Sequence, residues 1–148
     1  MRAVNHGLTG AAIAVVVKQP ALAIPLAFAS HFVCDAIPHS NTDSPTSKLA
    51  FQLLRADAFF SVVVTLFIAA LWSQYWWLVI LCAFLAASPD LESYYYFIRN
   101  PKAIDNPEPL YRFHKWIQRC EMFSVLGFSI EFAWFIVFFG SLVYYGAK

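Results

Sequence analysis

From Ala58 to Trp72 the chain runs fifteen residues without a charged side chain, and between Glu121 and Lys148 the only charge is Glu131. Runs of this kind constrain the fold more than any short motif. Backbone N–H and C=O groups cannot be left unpaired in lipid, and a helix satisfies its own. Composition agrees: 60% of residues are hydrophobic, 18% aromatic and 13% charged, against about a quarter charged in soluble domains. Mean hydropathy is +0.59. The fold expected is all-α: a polytopic membrane bundle of four to five hydrophobic helices plus one amphipathic interfacial helix. Residues 1–148 read as a single transmembrane domain. Fifteen Phe, five Trp and seven Tyr suit lipid-facing surfaces and interfacial belts, and lipids are the expected surroundings.

Several function classes recede. A net charge of +1 argues against a nucleic-acid partner. Cys34, Cys82 and Cys120 are widely spaced and odd in number, which suggests neither a disulfide framework nor a thiolate zinc site. No G-x-S-x-G and no thiol with an adjacent His occurs, so serine and cysteine hydrolases are not indicated. The N-terminal residues lack a convincing charged region and cleavage site, and no removable signal peptide is expected.

The punctuation of the sequence divides it. Gly7–Val17 reads as a short helix with small residues, broken by Lys18-Gln19-Pro20. Ala21–Ile37 is the second helix, stopped by Pro38. Ser44 reads as an N-cap with Pro45 at the first helical position, and a third helix runs to Trp72. A fourth is expected from Tyr75 to Phe97, about 33 Å long. Leu110–Cys120 is amphipathic, and Glu121–Tyr145 is the last span. If the first two helices form a hairpin, Arg2, Lys48, Arg55, Arg99, Lys102, Arg112, Lys115 and Arg119 lie on one side, and Lys18 and Lys148 on the other. Eight against two makes the first side cytoplasmic. Residues 7–37 as one broken helix would reverse the N-terminus.

With the hairpin, polar residues gather at the cytoplasmic level. His31 and Asp35 are four apart and share a helical face, and His39 folds back after Pro38. His6 opens helix one, Asp90 follows Ser88-Pro89, and His114 lies in the amphipathic segment. Ionisable groups at membrane depth are costly and tend to mark function. Imidazoles beside a carboxylate suit a divalent metal, zinc first and manganese second. His31, Asp35, His39, His114 and His6 are the candidate ligands; a plain N-terminal His is the alternative for His6. Asp57 sits on the apolar face of helix three with Ala50, Leu53 and Leu54. It is either a functional carboxylate or a structural salt bridge or cap. At 100° per residue, Leu110–Glu121 sorts into an apolar stripe, a basic stripe (Arg112, Lys115, Arg119) and a His114-Gln118-Glu121 stripe expected to face the protein. Glu131 is expected near mid-bilayer, as a structural protonated Glu or part of a proton path. Glu92 is expected at the interface.

Asn5-His6-Gly7, then His31-x3-Asp35-x2-Pro38-His39, then Pro89-Asp90-Leu91, then the segment Arg112–Gln118 around His114 together resemble the small bacterial and archaeal inner-membrane metal-dependent hydrolases. The resemblance covers about half the chain as scattered short motifs. It implies a helical membrane fold, a bound divalent metal and hydrolase activity at the prokaryotic plasma (inner) membrane. Better-known members carry Pro-Asp-x-Asp-His where this chain has Asp35-Ala36-Ile37-Pro38-His39, and a second His near the position of His114.

The leading expectation is therefore a membrane hydrolase in which a metal activates water on the cytoplasmic side. Asp90, Asp57 or Glu121 would take the proton. The substrate is a small molecule or lipid, with a phosphate-containing lipid favoured by the adjacent basic stripe. A proton- or ion-conducting transporter and a non-catalytic scaffold with a structural metal are the alternatives.

Overall fold

A computed structural model of the chain describes residues 1–40, 48–91, 109–120 and 124–148. Among these every regular element is helical and no strand occurs. The helices are α1 (Ala3–Val17), α2 (Pro20–Ala36), α3 (Lys48–Leu71), α4 (Trp76–Ala87), α5 (Pro109–Ile117) and α6 (Val125–Gly146). Short 3-10 turns, Ser73–Tyr75 and Gln118–Cys120, precede α4 and follow α5.

The element ends have local causes. Helix α2 starts with Pro20 in its first turn, and the Gln19 side chain accepts the Leu22 N–H at 2.9 Å. Pro fits there because its missing donor is one of the unpaired ones in any case. Ser124 caps α6 by accepting the Gly127 N–H at 3.2 Å. Lys18 closes α1 in the left-handed region, φ 59°, with its N–H on the Ala14 carbonyl. A residue without that conformation could not turn the chain so sharply into α2.

Two expectations about length change. Helix one begins at Ala3 rather than Gly7, giving fifteen residues. Helix four is continuous only to Ala87, twelve residues, so it does not run unbroken to Phe97. Pro89 has no N–H for the Leu85 carbonyl, and the Ser88 hydroxyl donates to that carbonyl instead, at 2.9 Å. Residues 89–91 are helical beyond the break. Tyr94, Tyr95 and Tyr96, the Ser44 cap, Glu92 and Glu121 lie outside the described residues.

Two helical stretches are long and apolar enough to cross a membrane, Phe51–Leu71 and Val125–Gly146. Helices α1, α2 and α4 are apolar but shorter. Helix α1 is central and packs against α2, α3, α4 and α6. Its Val4, Leu8, Ala11 and Ala14 join Ala23, Ala27, Val64, Ile68, Leu78, Val79 and Leu142 in one core. Small residues bring the backbones together there. The outward faces of α3 and α6 are apolar too: Phe59, Phe60, Phe67, Phe132 and Val137 are all exposed. A surface this apolar suits lipid rather than water.

Successive helices run up and down. One end of the bundle joins the start of α1, the end of α2, the start of α3, the end of α4 and the start of α6, as Arg2–Glu131, Ala3–Asp57 and His31–Ala86 contacts show. At the other end Trp72 donates to the Leu142 carbonyl at 3.0 Å, and the Lys18 ammonium lies 5.6 Å from the Tyr75 ring centre. The described members of the polar set singled out above, His6, His31, Asp35, His39, Asp57, Asp90, His114 and Glu131, sit at the first end.

Candidate metal centre

Helix α2 supplies the centre of the cluster. Its His31 and Asp35, one turn apart, are both fully buried, with His31 Nε2 3.1 Å from Asp35 Oδ2. Helix α5 brings His114, whose Nε2 lies 2.9 Å from the same Asp35 oxygen and 3.0 Å from His31 Nε2. Asp90, past the break in α4, places Oδ1 3.8 Å from His31 Nε2 and 3.6 Å from His114 Nε2. One ligand atom from each of His31, Asp35, Asp90 and His114 falls within 4.8 Å of all the others. Gln118, one turn after His114, points its amide at both Asp35 Oδ2 and His114 Nε2, 3.1 Å from each. Asp90 is the outermost member, with its side chain 30% exposed.

A divalent ion fits this donor set. Bonds near 2.1 Å separate neighbouring ligand atoms by about 3.0 Å in an octahedron and about 3.4 Å in a tetrahedron. The observed separations, 2.9 to 3.8 Å, bracket both values. The Nδ1–H of His31 donates to the Ala86 carbonyl at 2.8 Å, which points its Nε2 inward at Asp35, Asp90 and His114. That outer contact fixes tautomer and ring orientation as in metal-ligating histidines.

His6, from the first turns of α1, closes the cluster from the opposite side. Its ring stacks on His31 at 4.1 Å between centres. Its Nε2 lies 3.1 Å from Asp35 Oδ1 and 3.8 Å from Asp90 Oδ2. The ring is fully buried, and neither nitrogen has an aligned hydrogen-bond partner. The Met1 backbone nitrogen also approaches Asp35 Oδ1, at 2.6 Å.

The remaining candidates are placed elsewhere. His39 is buried, and its Nδ1 donates to the Ile37 carbonyl at 2.7 Å; it is not a member of the four-residue group. Past Pro38 it no longer follows helical spacing. Asp57 accepts the Ala3 N–H at 2.7 Å, so it serves as a cap for α1, the structural alternative of the two. Glu131 is not isolated at mid-span. Because α6 starts at Val125, the residue lies at the cluster end, buried, and accepts from the Arg2 N–H at 3.0 Å, Arg2 Nε at 3.1 Å and the Ser40 hydroxyl at 2.8 Å. Its carbonyl accepts the Asn5 amide. Sequence reasoning missed this network of Arg2, Ser40 and Asn5. Of the stripe residues described, His114 is buried and Gln118 half-buried, while Arg112, Phe113 and Lys115 are exposed, as is Trp116; Leu110, Arg119 and Glu121 lie outside the described side chains. Phe113 also packs against Phe32 of α2, with ring centres 5.4 Å apart.

No protein-family model, curated protein or solved structure matches the chain.

Proposed function

We propose that this chain is a membrane-embedded metal-dependent hydrolase that acts on a phosphate-containing lipid at the cytoplasmic face of a prokaryotic plasma membrane. The observation that carries the reading is the buried meeting of His31, Asp35, His114 and Asp90 from three separate parts of the chain. The short motifs shared with the small inner-membrane hydrolases point the same way. In this reading four to five hydrophobic helices span or enter the bilayer, with α5 along its surface.

His31, Asp35 and His114 hold the ion, zinc first and manganese second, by their ligand types. When bound, the ion supplies Lewis-acid activation of water and neutralises charge on a phosphoryl oxygen. The chain does the rest. Asp90, outermost and at the longest distances, accepts the proton of the attacking water. As the new O–P bond forms and the ester P–O bond breaks, that proton passes to the departing alkoxide. Arg112 and Lys115 attract the anionic headgroup, and Phe113 and Trp116 rest among acyl chains. Glu131, paired with Arg2 and Ser40, leaves the conducting alternative without its mid-membrane carboxylate.

Metal content of the purified full chain and its variants, measured beside hydrolysis of phosphoester lipids, tests the reading. His31→Ala and Asp35→Ala are expected to lose the metal. Asp90→Asn is expected to keep it while turnover falls by about 10²-fold or more, the usual contribution of a positioned base. His31→Ala holding as much metal as the parent overturns the assignment. A metal-loaded parent that cleaves no lipid phosphoester overturns the substrate and favours the scaffold alternative.

A further inference from the structure

Asp35 faces two sets of imidazoles, one with each oxygen. Oδ2 meets His31 and His114 at 3.1 and 2.9 Å. Oδ1 meets His6 at 3.1 Å. Asp90 repeats the division: its Oδ1 faces His31 and His114, and its Oδ2 faces His6. His31, Asp35 Oδ2 and His114 make the first position without His6. What remains is an imidazole that is fully buried, has no aligned partner at either nitrogen, and turns Nε2 toward Asp90 Oδ2 and toward Asp35 Oδ1, the oxygen that the Met1 nitrogen also contacts. A buried imidazole without an aligned partner is costly to keep unless something binds it.

We infer that the centre is dinuclear, with a second divalent cation held by His6 and Asp35 Oδ1 beside the first, and with Asp90, the proposed base, facing both from the open side. Resting on the hydrolase reading for its first ion, this adds a site and a role for His6. The geometry of the rings agrees. His6 and His31 lie nearly parallel, 23° apart, with centres separated by 4.1 Å. Two-metal hydrolytic sites keep their ions about 3.5–4 Å apart. Parallel rings at that spacing, each presenting Nε2 to a different oxygen of one carboxylate, are the arrangement in which that carboxylate bridges two ions. Asp35 is such a bridge, and Asp90 spans the same gap from the open side at 3.6–3.8 Å. The Met1 backbone nitrogen, 2.6 Å from Asp35 Oδ1, is the competing partner for that oxygen.

Manganese is the useful probe, because two adjacent Mn(II) ions couple magnetically and one does not. The detergent-purified full chain, stripped and reloaded with Mn(II), is assayed for bound metal per chain and by electron paramagnetic resonance. The expected result is two equivalents and an exchange-coupled spectrum. His6→Ala is expected to reduce binding to one equivalent and leave an uncoupled six-line spectrum. One equivalent in the parent, uncoupled, overturns the second position and leaves the mononuclear hydrolase reading intact. No bound metal in the parent overturns both. Two coupled ions that persist in His6→Ala overturn the assignment of His6. The parent spectrum is decisive by itself if the variant does not fold.

Discussion

At His31 the telling contact is the one that points away from the cluster. Spacing alone puts His31 and Asp35 on one face of α2, and the structure keeps them there. It is the Nδ1–H on the Ala86 carbonyl that turns the other nitrogen inward, and no sequence pattern reveals a carbonyl fifty-five residues away. Asp57 shows the reverse case. Its place on the apolar face of α3 marks it as unusual, yet two explanations fit the sequence equally. The Ala3 N–H at 2.7 Å gives it the contact of a cap. Asp57→Ala should therefore lower stability by about 1 kcal/mol, the usual loss for a removed N-terminal acceptor, and leave the metal content unchanged. Thermal unfolding of the loaded variant, read together with its metal per chain, checks both halves. Loss of metal with no change in unfolding would instead place Asp57 in the reaction. His39 and Glu131 were beyond sequence arithmetic for a different reason. One follows a proline, where helical phase ends, and the other's depth depends on where α6 begins.

Among the elements, α1 and α4 approach most closely, and one residue permits it. A Cβ on Gly10 would stand 2.3 Å from the Cys82 carbonyl oxygen and 2.9 Å from the Ala83 Cα. These are backbone atoms and cannot rotate aside. Gly10→Ala must push the helices apart, and overpacking of this kind costs about 1–3 kcal/mol. The strain also reaches the cluster, since α1 carries His6 and α4 leads to Asp90. Gly140 on α6 is the control: a Cβ there meets nothing within 4 Å. Gly10→Ala should melt at a clearly lower temperature than the parent, and Gly140→Ala at the same temperature. Equal melting of the two variants would mean that α1 and α4 are not packed this way. The small residues of α1 were legible in the sequence, and so was its apolar character. The end of α4 was legible too, in Ser88-Pro89, but a count of apolar residues from Tyr75 to Phe97 favours a full span. The proline prevails because it has no N–H for the Leu85 carbonyl, and the Ser88 hydroxyl takes that place and ends the ladder. The resulting break is what frees Asp90 to turn toward α2.

Across the whole molecule, the alternation of the helices gathers the site residues at one end of the bundle. Sequence reasoning reaches this convergence through the hairpin of α1 and α2, since it sets the start of α1 level with the end of α2. It does not establish how many helices cross the membrane; two have the length for it. The proposed orientation rests on the eight basic residues assigned to the cluster side against Lys18 and Lys148 on the other, the bias from which the proposed reading takes the cluster side as cytoplasmic. The cysteines provide a test with little engineering. Cys34 and Cys82 are buried, and Cys120, just after α5, is exposed. At the opposite end Ser73 is exposed in the turn between α3 and α4. A membrane-impermeant maleimide applied to spheroplasts should leave Cys120 unlabelled until the membrane is opened. In a Cys120→Ser background, Ser73→Cys should be labelled from outside at once. Because α4 separates the two positions along the chain, its crossing and its direction are read in a single pair of samples. Labelling of both positions from outside would deny that α4 spans. Labelling in the opposite order would turn the cluster outward, and with it the source of any lipid that reaches His31, Asp35 and His114.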